Sequence, residues 1–184
     1  MKFREKSKIL DGEGIDKAVK RIAHEILEKN QDFLENLVMI GILRRGATLA
    51  ERLEKEIRHI EGKNFPIGTL DITLYRDDLT QIAQSPIVHE TRIDFDMTDR
   101  RIILVDDVLF TGRTIRCALD ELIDFGRPRV VQLAVLIDRG HRDFPIRADF
   151  VGKNLPTSLH EIVQVRLREV DGIDEVVIEE EEEK

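Results

Sequence analysis

The sequence predicts an α/β fold, a central and mostly parallel sheet flanked by helices. Three observations carry that prediction. Leu37 to Ile42 and Ile102 to Val105 are uninterrupted apolar runs, the form a strand takes when both its faces are buried in a parallel sheet. Amphipathic helical patterns alternate with such runs along the chain. The run at 102–105 ends in Asp106-Asp107, and a Thr/Gly turn then leads into a helical pattern, an arrangement that places a ligand at the carboxyl end of a strand.

In chain order, residues 15–29 read as an amphipathic helix, with Ile15, Val19, Ile22 and Ile26 on one face. Residues 37–42 form a buried strand that ends at Leu43-Arg44-Arg45-Gly46, and a helix follows to about residue 58. Residues 67–75 alternate and are β-rich, so a strand is expected there. Residues 76–92 are polar, with Pro86 inside, and read as a long loop of the kind that serves function. Strand 102–105, helix 115–125 and strand 130–137 come next, with Gly126 and Pro128 marking the helix stop. Short strands are expected near 147–151, 162–167 and 175–178. With no repeat and no linker, residues 1–184 are expected to form one domain, with an acidic, frayed tail from about 179 to 184.

Composition sets outer bounds. The chain has 184 residues, 41% of them hydrophobic, enough for a real core. No apolar stretch reaches 18 residues, so no membrane span is expected. The opening Met1-Lys2-Phe3-Arg4-Glu5-Lys6 lacks the apolar centre of a signal peptide. The lone Cys117 permits no internal disulfide, fits a reducing cytoplasm, and sits in the apolar pattern of its helix as a core residue. The net charge of −8 is concentrated at the end, in Glu175 and Glu179 to Glu183, so it says little against anion binding elsewhere. A charged content of 36% with few Asn and Gln leans towards a thermophilic source. The five histidines are scattered, without the spacing of a zinc site. Gly12-x-Gly14 lacks a third glycine, since position 17 is Lys17, and no dinucleotide fingerprint is present.

The chemistry concentrates in residues 102–115. A Thr111-Gly112-Arg113-Thr114 turn at a helix start offers N–H groups, hydroxyls and a favourable dipole to a phosphate. Asp106 and Asp107 can accept hydrogen bonds from the vicinal hydroxyls of a ribose or meet a divalent cation. The segment therefore reads as a site for a phosphorylated ribose; the plain alternative is a strand and a helix capped by Thr114. Gly41-Ile42-Leu43-Arg44-Arg45-Gly46 brings two guanidinium forks to another strand end, which suits a pyrophosphate. Tyr75-Arg76-Asp77-Asp78 opens the long loop and could close over such a ligand and exclude water. Lys17, Lys20, Arg21 and His24 share a 100° arc of the first helix, about opposite its apolar face, as phosphates of RNA would need. His141, Arg142, Arg147 and Lys153 could extend that stripe.

The run Ile102-Ile103-Leu104-Val105-Asp106-Asp107-Val108-Leu109-Phe110-Thr111-Gly112-Arg113-Thr114 resembles the signature of the type I phosphoribosyltransferases. Three further segments narrow the resemblance: Arg21 to Glu25, Leu70 to Leu79, and Leu133 to Arg142 with Pro145 to Ser158. From about residue 8 to residue 178 the chain is similar to the bifunctional pyrimidine operon attenuation regulator/uracil phosphoribosyltransferase family. Arg44 departs from it, standing where members commonly carry Thr.

The resemblance implies the type I phosphoribosyltransferase fold with a small hood built from terminal segments, and a loop at Gly41 to Gly46 that contacts the leaving pyrophosphate and often holds a strained or cis peptide bond. It implies transfer of phosphoribose from phosphoribosyl pyrophosphate to uracil, giving UMP and pyrophosphate with Mg2+ held mainly through the substrate. It also implies UMP-dependent binding to pyrimidine operon leader mRNA, and a homo-oligomer. Arg45, Arg76, Asp106 and Asp107 become the catalytic candidates. Arg44, Arg45, Val105 to Thr114, Asp138 and Arg139 become the substrate-binding candidates, the last two on the base side. Two rivals stand beside this reading: a purine phosphoribosyltransferase with no RNA role, and a UMP sensor without catalysis. The intact Arg45, Asp106 and Asp107 set speaks against the second.

Overall fold

A computed structural model of the chain describes residues 3–72 and 91–181. β1 (Phe3–Asp11) leads into α1 (Gly12–Asn30), whose start is capped by the Asp11 carboxylate accepting from the Gly14 N–H at 2.9 Å. A 3-10 segment, Gln31–Asn36, precedes β2 (Leu37–Ile42) and α2 (Arg45–Glu61). β3 (Ile67–Leu70), β4 (Arg101–Leu109), α3 (Arg113–Phe125) and β5 (Val130–Asp138) follow. The chain then runs through β6 (Phe150–Asn154), β7 (Glu161–Arg166), the single turn α4 (Arg168–Asp171) and β8 (Glu175–Glu181).

β3, β2, β4, β5 and β6 lie side by side in that order as a parallel sheet. Side chains alternate across a strand, and the core divides accordingly. Met39, Ile103, Val105, Ala134 and Leu136 pack with Ile15, Ile22 and Ile26 of α1 and Leu49, Leu53 and Ile57 of α2. Val38, Ile40, Ile102, Leu104, Leu133 and Val135 pack on the opposite face with Ile115, Ala118 and Leu122 of α3. Covering both faces is what makes these strands read as unbroken apolar runs. Cys117 is buried in the second cluster.

β1, β8 and β7 form a separate antiparallel sheet, the hood, joined to the first core through Val163, Val165, Val176 and Ile178. The hood is built from terminal segments, as the resemblance implies, and β1 forms over Arg4, Glu5, Lys6, Ser7 and Lys8, which give no apolar alternation, because β8 supplies its ladder. One expectation, that of the acidic end, is corrected here. The acidic end was expected to fray from about 179, yet Glu179, Glu180 and Glu181 lie in β8. Arg166 bonds Glu179 at 2.7 Å, Arg4 bonds Glu180 at 2.8 Å, and Lys8 bonds Glu175 at 2.6 Å. Arg4–Glu180 is exposed and weak by itself, while Glu175 is buried and Glu179 half-buried, and together these cross-strand cations turn a repulsive run into a pairable edge.

Other differences are of extent. β4 continues to Leu109, so Asp106 and Asp107 lie inside the strand rather than beyond it; Val108 and Leu109 still pair with Ile137 and Asp138. β3 ends at Leu70, and residues 73–75 of that expected strand fall outside the described residues. So does most of the expected loop 76–92, while Arg92 bridges back to Thr69.

Candidate functional site

The turn from β2 to α2, the end of β4, the turn into α3, the end of β5 and α4 of the hood converge at the carboxyl edge of the parallel sheet. Two glycines permit this. A Cβ on Gly46 would stand 2.4 Å from the Val105 carbonyl oxygen, and one on Gly41 would stand 2.4 Å from Ala47 Cα. The first turn of α2 therefore sits directly on β4. Gly46→Ala is expected to lower stability by about 2 kcal/mol, because backbone must move to admit a methyl group. Urea unfolding midpoints check this, and an unchanged midpoint would refute the close fit.

Asp106 is buried, and its Oδ1 accepts from the Asp107 N–H at 2.9 Å. Asp107 is half-buried, and its Oδ1 accepts from the Val108 N–H at 2.8 Å. Burial pushes the Asp107 carboxyl above the usual carboxylate range, and the Arg45 guanidinium opposes that shift. Arg45 itself donates to Asp171 of α4 at 3.0 and 2.7 Å. Its neighbour Arg44 is exposed, follows a cis Leu43–Arg44 peptide bond, and precedes α2.

Gly112 opens α3 with φ of +91°, a left-handed conformation that glycine adopts without strain. The helix begins at Arg113, two residues before the expected Ile115, so Thr114 lies within the first turn and is not the cap. The first N–H groups of a helix have no carbonyl partner within it. The Thr111 carbonyl accepts from the N–H groups of Asp143 and Phe144, and Arg113 pairs with Asp143 at 3.1 Å. The segment after β5 thus braces this turn from outside. Val105 and Leu109 turn their side chains into the two cores, so only their backbone borders the site.

At the end of β5 the candidates separate. The Asp138 carboxylate accepts from the Gly140 N–H at 3.0 Å and from Arg142. Arg142 also donates to the carbonyls of Phe110 at 2.7 Å, Gly140 at 3.1 Å and Ile146 at 3.0 Å. Asp138 and Arg142 are therefore a strut that shapes the turn after β4, and Arg142 is turned away from the exposed basic face expected for it. Arg139 is 5% exposed; it donates to Thr157 Oγ1 and the Ser158 carbonyl and lies 3.9 Å over the Phe110 ring. Burial draws its guanidinium below the usual arginine range, against the pull of Glu161. His141 stands edge-on to Phe110, and its Nε2 meets the Thr157 carbonyl. Phe110, Arg139, His141 and Thr157 thus form a half-enclosed wall past the end of β4.

Lys17, Lys20, Arg21 and His24 are exposed on α1, opposite its buried Ile15, Val19, Ile22 and Ile26. Arg21 reaches the carbonyls of Val151 and Gly152, which brings exposed Lys153 beside this stripe; Arg147 is exposed as well. Arg76, with Tyr75, Asp77 and Asp78, lies outside the described residues. Among the described residues no three His, Cys, Asp or Glu side chains are grouped to hold a metal ion. No helix among them is long and apolar enough to cross a membrane. Asp171, Asp143 and Thr157 had no signal in the sequence, since each acts on a partner far away in the chain.

The model of the phosphoribosyl transferase domain matches residues 5–169. The chain is 58% identical over 175 residues to the bifunctional protein PyrR of Pelotomaculum thermopropionicum, covering 95% of this chain and 96% of that one. It is 60% identical over 169 residues to the bifunctional protein PyrR of Deinococcus radiodurans, covering 92% of each. Its fold is similar to that of a hypoxanthine phosphoribosyltransferase from Trypanosoma cruzi, with a TM-score of 0.73, 17% identity, and 97% and 98% of the two chains covered.

Proposed function

This chain belongs to the phosphoribosyl transferase domain family, and from that premise we propose that it makes UMP from uracil and phosphoribosyl pyrophosphate and binds pyrimidine operon leader mRNA when UMP is bound. It would do so in the cytoplasm and as a homo-oligomer, a second copy covering Ile123 and Phe125, which α3 leaves 66% and 47% exposed. The observation that carries the enzymatic half is the placing of Asp106 and Asp107 at the end of β4, ahead of the left-handed Gly112 that opens α3.

In this reading the N–H groups and hydroxyls of Thr111, Gly112, Arg113 and Thr114 grip the 5′-phosphate. Asp106 and Asp107 accept from the ribose hydroxyls. Their negative charge also stabilises the oxocarbenium character that develops as the bond from the anomeric carbon to pyrophosphate breaks. Arg45, with Arg76 from the undescribed segment, meets the charge that gathers on the departing pyrophosphate. The carboxylate pair also fits a hard cation bound by one or two protein oxygens together with substrate phosphates. Mg2+ held mainly through the substrate, with Asp106 and Asp107 beside it, would neutralise part of the pyrophosphate charge. Arg139 and His141 order the wall around Phe110, on which a planar base can rest.

The regulatory half rests on the exposed stripe of Lys17, Lys20, Arg21 and His24, with Lys153 beside it and Arg147 exposed in the segment that leads into β6. The stripe lies on the outer face of α1, so enzyme and RNA functions use separate surfaces. No module specialised for RNA is present, so a loop would be recognised through its phosphates and splayed bases. Incubation with phosphoribosyl pyrophosphate, Mg2+ and either uracil, hypoxanthine or guanine tests the enzyme. UMP is expected, and purine nucleotide formation without UMP would overturn the uracil assignment. Titration of a leader stem-loop with and without UMP tests the regulator. Binding that ignores UMP would overturn that half alone.

A further inference from the structure

Arg45 and Arg52 stand two turns apart on one face of α2, and both reach the turn between β7 and β8. Arg52 donates to Glu169 and, at 2.6 Å, to Asp174. Arg45 donates from Nε and Nη2 to the two oxygens of Asp171, at 3.0 and 2.7 Å. Asp171 is itself fixed, because its Oδ2 also accepts from the Leu167 N–H at 2.9 Å. A bidentate pair sets the plane of a guanidinium as well as its position. One edge of Arg45 is therefore committed to the hood, and its Nη1 end remains for a ligand. The Asp107 carboxylate is near enough to act on the same guanidinium.

We propose that Asp171 is the positioning residue of the pyrophosphate site. Acting through Arg45, it aims the remaining N–H groups at the departing pyrophosphate and ties that turn to the hood. The inference rests on the reading of Arg45 as a pyrophosphate ligand. An aspartate near a phosphate would also repel it. Here that repulsion is muted, since the carboxylate is already paired in both oxygens, and loss of order in Arg45 is the larger effect.

Steady-state kinetics and pyrophosphate inhibition of Asp171→Asn, Asp171→Glu, Glu169→Gln, Arg45→Ala and the Arg45→Ala/Asp171→Asn double variant test this. Asp171→Asn is expected to raise KM for phosphoribosyl pyrophosphate, and the inhibition constant of pyrophosphate, about tenfold. KM for uracil and affinity for UMP, which lacks a pyrophosphate, stay within about twofold. Asp171→Glu restores most of the loss. Glu169→Gln, which loosens the hood anchor without touching Arg45, has no such effect. In the Arg45→Ala background the second substitution adds nothing.

The proposal falls if Asp171→Asn changes neither constant, lowers them, or loses UMP binding, or if Glu169→Gln reproduces its effect. In each of those cases a raised KM in Arg45→Ala leaves the site assignment standing. If Arg45→Ala leaves both constants unchanged, the assignment of Arg45 falls and takes this inference with it.

Discussion

Asp107→Asn is expected to reduce UMP synthesis about 10²- to 10³-fold while leaving a protein that, at neutral pH, melts no lower than the parent. The kinetic loss follows from removing one preorganised charge beside the developing oxocarbenium, an effect of that order in other preorganised sites. The stability follows from the direction of the titration. Burial disfavours the charged form, so the folded protein keeps the Asp107 proton to a higher pH than the unfolded chain, whose ordinary value is 3.8. As pH rises through that window, the unfolded state loses its proton first and stability falls. Asparagine never ionises, and its amide oxygen can still accept from the Val108 N–H. The melting advantage of the variant should therefore appear at pH 7 and shrink as pH falls towards 3.8. Calorimetry across that range checks it. A variant that melts several degrees lower at pH 7 would show that the Asp107 charge holds the fold together rather than serving the reaction.

Reversing Lys17 and Lys20 to glutamate together is expected to weaken UMP-dependent RNA binding about 100-fold near 0.1 M salt. Both side chains are exposed on the outer face of α1 and neither carries packing; Lys17 has one distant partner, Glu13 at 3.7 Å. If each lysine meets one phosphate of a single-stranded loop, the slope of log affinity against log salt should flatten by about 1.4. UMP synthesis should change by less than about twofold, because α1 is separated from the acids of β4 by the sheet core. Filter binding over a salt series, with the enzyme assay in parallel, decides the matter. Unchanged slope and affinity would remove this helix from the RNA surface. Arg21 is a poorer probe, since it also bonds the carbonyls of Val151 and Gly152 and its loss would disturb β6.

Much of this arrangement is legible in the residues themselves, for a physical reason. β2, β4 and β5 are sealed on both faces, so almost every position must be apolar, and the breaks in that rule fall where the site begins. Asp106, Asp107 and Gly112 stand out because no core needs them there. The hood is the opposite case. β1 carries mixed charges and β8 ends in a run of glutamates, and nothing local shows that Arg4 lies opposite Glu180. The same limit hides Asp171, whose meaning depends on Arg45 at the start of α2, far away in the chain. It also misplaces Arg142: a basic residue in a turn has the same spelling whether it faces solvent or, as here, collects the four carbonyls of Leu109, Phe110, Gly140 and Ile146 and the Asp138 carboxylate.

The pairing of β1 with β8 alone has a consequence for how the molecule is made. β1, at residues 3–11, finds its ladder only when residues 175–181 have left the ribosome, so the nascent chain carries it unmatched while every described element between them is made. Its row of Arg4, Lys6 and Lys8 is a safeguard during that wait, because cationic edges resist recruiting a wrong neighbour. Under the proposed reading, the hood that tethers Arg45 is the last of the described sheets to close, and a growing polypeptide holds no completed pyrophosphate pocket until β8 has paired.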